Sequence, residues 1–182
     1  MVQPKTNDFA HLFDSFEHSA FRLENLDTYS ALDEADDFQR FLRGEPLPVS
    51  TNEEWCDWIR NQTLSGKVIQ RVHVISLPLS PYLQFEIDWR YVYNSTAGEN
   101  IYLLERSKVP RNIQPLTDYW LFDDKVVVNL QYDSNGYFLR GEADDVPQSV
   151  SLHREASVSL LSIATPLKQF LAKKRTAQSR QE

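Results

Sequence analysis

The sequence predicts a single α/β domain of the α+β kind, with a mixed β-sheet that ends in an antiparallel meander, flanking helices and an N-terminal helical segment. Three observations carry that expectation. Apolar residues recur at helical spacing in the first third, and β-branched runs replace them from Lys67 onward. Asn135-Gly136 then stands between two β-rich runs, which is the strongest short hairpin signal in the chain. A length of 182 residues suits one core, divided into a helical part over 8–66, a sheet-containing part over 67–172 and a frayed tail over 173–182.

Taken in order, Phe9, Leu12, Phe13 and Phe16 lie three and four apart, so 8–26 reads as an amphipathic helix packed as a lid. A second helix is expected over 33–42, where Asp33, Glu34, Asp36 and Asp37 favour the positive end of the helix dipole and Gly44 stops it. Ser50 and Glu53 have the spacing of a capping box for a third helix that ends near Gly66. Val68, Val72, Val74 and Ile75 mark a strand, and Ser80-Pro81 the N-cap and first residue of another helix. That helix, over 82–93, carries two apolar stripes and is expected to be covered on two sides. Ile101 to Leu104 gives a second strand. Tyr119 to Glu142 gives three more, with tight turns at Asp123-Asp124 and at Ser134-Asn135-Gly136. A final helical region begins near Pro147 and is kinked or divided at Pro166.

Composition narrows the function classes. A net charge of -7 opposes attraction to phosphate backbones, so direct nucleic-acid binding is disfavoured. No apolar run approaches the roughly 20 residues that span a bilayer, and the first residues lack the layout of a secretory signal. The expected location is the cytoplasm. Cys56, the one cysteine, lies between Trp55 and Trp58 in a helical segment and reads as an inert thiol. The five glycines form no phosphate-binding run, and no nucleophile-elbow or zinc-binding pattern occurs. No metal and no cofactor are therefore expected.

The candidate residues for chemistry are few. His73 alternates with Val72 and Val74 on a strand, beside Arg71, and can act as acid or base or simply bond to a neighbour. Glu86 stands four residues before Arg90, which suits a helix-surface pair, or a ligand contact if that face is buried. Asp118, Asp123 and Asp124 flank Tyr119-Trp120-Leu121-Phe122, with Asp123-Asp124 placed for turn formation. His73, Glu86, Asp118 and Asp123 are thus the candidates for catalysis. Arg71, His73, Tyr82, Glu86, Trp89, Tyr119 and Trp120 are those for ligand or partner binding. The basic residues Lys168, Lys173, Lys174, Arg175 and Arg180 read as a solvated helix end.

Several blocks in fixed order resemble a family. They are Phe13-Asp14-Ser15-Phe16-Glu17-His18-Ser19-Ala20-Phe21-Arg22-Leu23-Glu24, Arg71-Val72-His73-Val74-Ile75-Ser76, Leu79-Ser80-Pro81-Tyr82-Leu83-Gln84-Phe85-Glu86, Ala97-Gly98-Glu99-Asn100-Ile101 and Tyr119-Trp120-Leu121-Phe122-Asp123-Asp124. Together they are similar to the actinobacterial DUF6879-type proteins of unknown function, over about 9–144. Members look like companions of helix-turn-helix regulators, which implies a regulatory role. Gln84, where a basic residue is common, and the aromatic-poor end after Asp145 depart from the pattern. The element order also looks like one half of a phospholipase D-like fold. Asp118-Tyr119-Trp120-Leu121 stands in the place of its active motif without the histidine, which implies a degenerate, non-hydrolytic relative.

The expectation is a non-enzymatic regulatory or interaction protein that acts with a protein partner, a DNA-binding regulator, through the aromatic helix and the Trp120 region. Two rivals stand beside it: a hydrolase or phosphodiesterase, and a small-molecule sensor, each using a pocket around His73 and Glu86. A homodimer is left open.

Overall fold

The computed structural model describes residues 9–49, 51–113 and 117–178. One mixed sheet of seven strands runs through it in the order β6-β5-β4-β1-β2-β3-β7. The strands are β1 (Ser19–Glu24), β2 (Val68–Ile75), β3 (Asn100–Glu105), β4 (Asp118–Phe122), β5 (Val126–Tyr132), β6 (Phe138–Asp144) and β7 (Thr165–Pro166). β1, β2 and β3 are parallel, while β4, β5 and β6 form the antiparallel meander and join it by pairing β4 with β1. The mixed sheet and C-terminal meander are as the sequence predicts.

The helices are α1 (Leu12–Ser15), α2 (Ala35–Leu42), α3 (Glu53–Leu64), α4 (Pro81–Phe85), α5 (Tyr91–Ala97), α6 (Pro147–Ile163) and α7 (Leu167–Gln178). α4 runs into α5 through a π-helical turn, Glu86–Arg90, so that Pro81 to Ala97 is one helix with a bulge at its centre. Ser80 caps it as expected, its Oγ accepting from the Leu83 N–H at 3.0 Å.

One expectation fails at the N-terminus. The predicted helix over 8–26 is a single turn, α1, followed by the strand β1 at the centre of the sheet. Asp8 lies outside the described residues. Phe9, Leu12, Phe13 and Phe16 do share a face, packed against Trp58 and Phe122, and this produced the helical spacing. Ser19–Glu24 instead alternates, with Phe21 and Leu23 on one sheet face and Arg22 and Glu24 on the other, and pairing on both edges makes it a strand.

Two smaller corrections concern helix ends. α3 begins after Asn52, which has left-handed φ and makes no side-chain cap bond, and the expected cap Ser50 lies outside the described residues. α7 continues through the predicted frayed segment as far as Gln178, and Lys174 reaches back to both carboxylate oxygens of Asp88 at 2.7 and 2.6 Å. Residues 179–182 lie outside the description.

The two sheet faces differ in chemistry. One packs Phe21, Leu23, Val72, Leu104, Leu121 and Val127 against Val150 and Leu160 of α6 in an apolar layer. The other carries Arg22, Glu24, Arg71, His73, Asp118 and Trp120 under the layer of α1, α3 and the bulged helix. The Asp123-Asp124 turn joins β4 to β5 with positive φ at both residues, the geometry that two-residue hairpins favour.

Asp123 has a second role there. Its carboxylate accepts from the N–H groups of Glu17, His18 and Ser19 at 2.8, 2.7 and 2.9 Å and fixes the entry to β1. Although burial opposes it, these three donors hold the carboxyl below its ordinary value. The stabilisation is full above the unfolded pKa and is lost as pH falls through the lower folded value. Asp123→Ala is expected to cost about 1–2 kcal/mol, with the deficit shrinking in acid, as read by urea unfolding at neutral pH and near pH 3.

Candidate functional site

Between the polar sheet face and the helical layer lies a cavity of about 240 Å³. Phe9, Phe13, Trp55, Trp120, Leu130 and Tyr132 supply apolar wall, while Arg22, Glu24, Glu34, Arg71, Glu86 and Arg90 line its polar side. Ala10 and Ala31, which are not buried, also line it, with Tyr29, Tyr82, Asn52 and Asn94 between. An apolar cavity of about 150 Å³ holds a benzene ring, so this one has room for a molecule of one or two rings.

The floor is a row of alternating charges across the strands. Arg22 Nη2 donates to Asp118 Oδ2 at 3.0 Å and its Nε lies 3.5 Å from Glu24 Oε1. Arg71 donates to Glu24 Oε1 and to Glu99 Oε1, each at 2.7 Å. Asp118 also accepts from the Asn25 N–H at 3.0 Å and the Tyr29 hydroxyl at 2.5 Å. Neighbouring strands put Arg22 in register with both Arg71 and Trp120, which places the row against an indole ring. The Arg22 guanidinium carbon is 5.8 Å from the Trp120 ring centroid. Burial opposes ionisation of Glu24, yet Arg71 and Arg22 hold its carboxyl far below the usual carboxylate range.

The opposite wall comes from the π-helical turn. It brings Glu86 and Arg90, both buried, to the cavity. The pair is therefore not the helix-surface pair its spacing suggests. Arg90 Nη2 donates to Glu34 Oε1 at 2.9 Å, and the Tyr82 hydroxyl donates to Glu34 Oε2 at 2.7 Å. Glu86 Oε1 is 3.8 Å from Arg90 Nε, too far for a hydrogen bond. Burial and the neighbouring Glu34 push the Glu86 carboxyl up to about 8.

Three buried side-chain atoms among the described residues have no hydrogen-bond partner: Arg22 Nη1, Glu86 Oε1 and Glu99 Oε2. The first two belong to residues that line the cavity. Buried polar atoms are rarely left so, because an unmade bond costs about 1–3 kcal/mol.

The residues singled out by sequence divide between this site and the scaffold. Arg71, Tyr82, Glu86 and Trp120 line the cavity. His73 sits behind it with no exposed surface, its Nε2 donating to the Leu26 carbonyl at 2.8 Å and its Nδ1 facing the Tyr91 hydroxyl at 2.6 Å. Burial lowers its pKa, and with both nitrogens engaged it has no lone pair for a ligand. Asp118 anchors Arg22, and Asp123 lies at the distant hairpin, so neither lines the cavity. Trp89 packs with Phe85 and Phe41. Tyr119 faces the other side of the sheet, where its hydroxyl donates to the His153 carbonyl at 3.0 Å.

Tyr82, Trp89, Tyr119 and Trp120 are all buried, so none offers an open ring to a macromolecule. Arg22, Glu24, Glu34 and Tyr132 escaped sequence reasoning as site residues. Cys56 is buried, and burial raises its thiol pKa, in keeping with an inert thiol.

A family described as "Domain of unknown function (DUF6879)" matches residues 7–172. The chain belongs to that family. The match takes in every strand of the DUF6879 sheet, from β1 to β7, and all the described residues lining the cavity. No curated protein matches this DUF6879 chain. Among solved structures it is similar to a phospholipase D family member, Nuc, from Salmonella typhimurium, at 8% identity and a TM-score of 0.49, with 85% of each chain covered. No helix among the described residues is long and apolar enough to cross a membrane.

Proposed function

We propose that this DUF6879 protein is a non-catalytic regulatory protein that binds a small molecule in the cavity beneath α1 and signals its occupancy to a protein partner. One observation carries the ligand half of the reading: Arg22 Nη1 and Glu86 Oε1 are buried, lack partners and belong to opposite walls of one aromatic-lined cavity. Preformed apolar pockets with a few open polar groups are the usual form of small-molecule sites. Among the described residues the lining contains no serine, threonine, cysteine, histidine or lysine, which supports binding without covalent turnover. His73, the acid–base candidate of the rival hydrolase reading, is spent on Leu26 and Tyr91. The class of partner, a helix-turn-helix regulator, follows from the resemblance of the sequence blocks alone.

The test uses the whole protein purified under native conditions from cells that make it. Native mass spectrometry is expected to show a bound molecule of one or two rings, near one per chain. Ala31→Trp places a large ring at a position that lines the cavity without being buried, and is expected to abolish that adduct while leaving the circular dichroism unchanged. A wild-type protein that carries no small molecule, or an Ala31→Trp variant that retains it in full, overturns the reading.

A further inference from the structure

The helical wall of the cavity is interrupted at one point. Pro81 to Ala97 is a single helix except at Glu86–Arg90, where the Tyr91 N–H bonds to the Glu86 carbonyl five residues back. Single-turn π-bulges of this kind are rare inside α-helices and are frequent at functional sites.

The residues of the turn are divided among three neighbours. Glu86 and Arg90 line the cavity. Ile87 is fully buried in a cluster with Leu83, Tyr91 and Leu167 of α7, against which Phe170 and Leu171 of α7 also pack. Asp88 accepts two bonds from Lys174 Nζ of α7, at 2.7 and 2.6 Å. Trp89 meets Phe41 of α2 with 5.6 Å between ring centroids. The cavity and α7 therefore hold the same five residues from different sides.

That arrangement leaves little independence to the two sides. Side chains one or two apart on a helix point in different directions, so a turn pushed from the side of Glu86 and Arg90 re-aims Asp88. Leu167, Phe170 and Leu171 anchor the first half of α7, and Lys174 ties its second half to the turn. We infer that the π-helical turn couples the cavity to α7: a molecule pressing on Glu86 and Arg90 loosens the hold of Asp88 on Lys174, and the end of α7 reports the occupancy. This rests on the ligand-binding reading above and names the route by which occupancy leaves the site.

Hydrogen exchange of the full chain, read by mass spectrometry, measures the opening of α7 over 172–176. All proteins are first refolded from urea, so that none carries a molecule from the cell. Ala31→Trp fills the cavity at a distance from α7, which contributes no residue to the described lining. It is expected to speed exchange over 172–176 by about fivefold or more, the lower end of ordinary coupling between sites. The helix α6, on the opposite sheet face, serves as the reference and is expected to stay as in wild type. Lys174→Met and Asp88→Asn cut the tie from either end, and adding Ala31→Trp to each is expected to change α7 no further. Lys174→Arg keeps the pair and is expected to preserve the response. Glu86→Ala alters the same wall from within the turn and is expected to act on α7 as Ala31→Trp does, so the outcome does not depend on one variant folding.

Unchanged exchange of α7 in whichever of Ala31→Trp and Glu86→Ala folds overturns the coupling. So does a response of equal size once the tie is cut, or an equal rise in α6. None of these measurements needs a bound molecule. The native adduct and its loss in Ala31→Trp decide separately whether the cavity is a ligand site, and either result can fail without the other.

Discussion

Replacing Arg71 by methionine is expected to lower the stability of the domain by about 3–5 kcal/mol, the loss typical when one member of a buried ion pair is removed. Arg71 donates to Glu24 and Glu99, and among the described residues the Glu99 carboxylate has no other hydrogen bond, its second oxygen being unpartnered. The variant leaves the buried Glu99 carboxylate without its compensating charge and Glu24 with Arg22 alone. In a domain of this size each kcal/mol moves the thermal midpoint by about 2–4 °C, so the midpoint should fall by about 6–20 °C. Adding Glu99→Gln to Arg71→Met is expected to restore part of the loss, because the amide removes one stranded charge. Thermal unfolding followed by circular dichroism for the single and double variants reads both effects. A single variant within 1 kcal/mol of wild type shows that the charge row contributes nothing to stability.

The second large effect concerns Glu86 and changes with pH. Its folded pKa is raised from an ordinary 4.5 to about 8, so the folded protein holds this proton more tightly than the unfolded chain does. Stability is therefore highest on the acid side and falls as pH rises from the unfolded value through the folded one. Glutamine mimics the protonated carboxyl at every pH. Glu86→Gln should match wild type near pH 5 and exceed it by about 2–4 kcal/mol at pH 9. Denaturant unfolding at the two pH values measures the gain, and equal gains at both show that Glu86 titrates as an ordinary carboxyl. A natural sequence that keeps a glutamate at such a cost is consistent with a use for its charge.

The parts of the fold that the sequence made legible are those where local signals agree with tertiary packing. Ser80-Pro81, the Asp123-Asp124 and Asn135-Gly136 turns and the break at Pro166 each stand where structure changes. β1 was hidden because Phe9, Leu12, Phe13 and Phe16 set up a helical period directly before the apolar Phe21 and Leu23, whereas the chain changes to strand at Ser19. With that strand misread, the alternation of Arg22 and Glu24 was invisible as an inward charged face. The site was half legible for the same reason. Arg71, Tyr82, Glu86 and Trp120 were found by residue type and neighbourhood, but Arg22 and Glu24 lay inside the wrong element, and Glu34 reaches the cavity from a short helical turn that no local pattern ties to Arg90. His73 drew attention as a titratable group on an apolar strand, and only the positions of Leu26 and Tyr91 reveal that both its nitrogens are engaged.

The central place of β1 bears on how the protein is made. Synthesised before both of its neighbours, β1 pairs with β2 on one side and β4 on the other, and Arg22 meets Asp118 across 96 residues of sequence. Until β4 emerges, a partial chain has Glu24 but not the Asp118 carboxylate to offset the desolvation of Arg22, so its inner face stays wetter and resists early collapse. Contacts of such long range slow folding relative to local ones. A fragment that stops at Lys108 contains all three parallel strands and still lacks the Asp118 carboxylate and the meander, so it is not a smaller version of the fold.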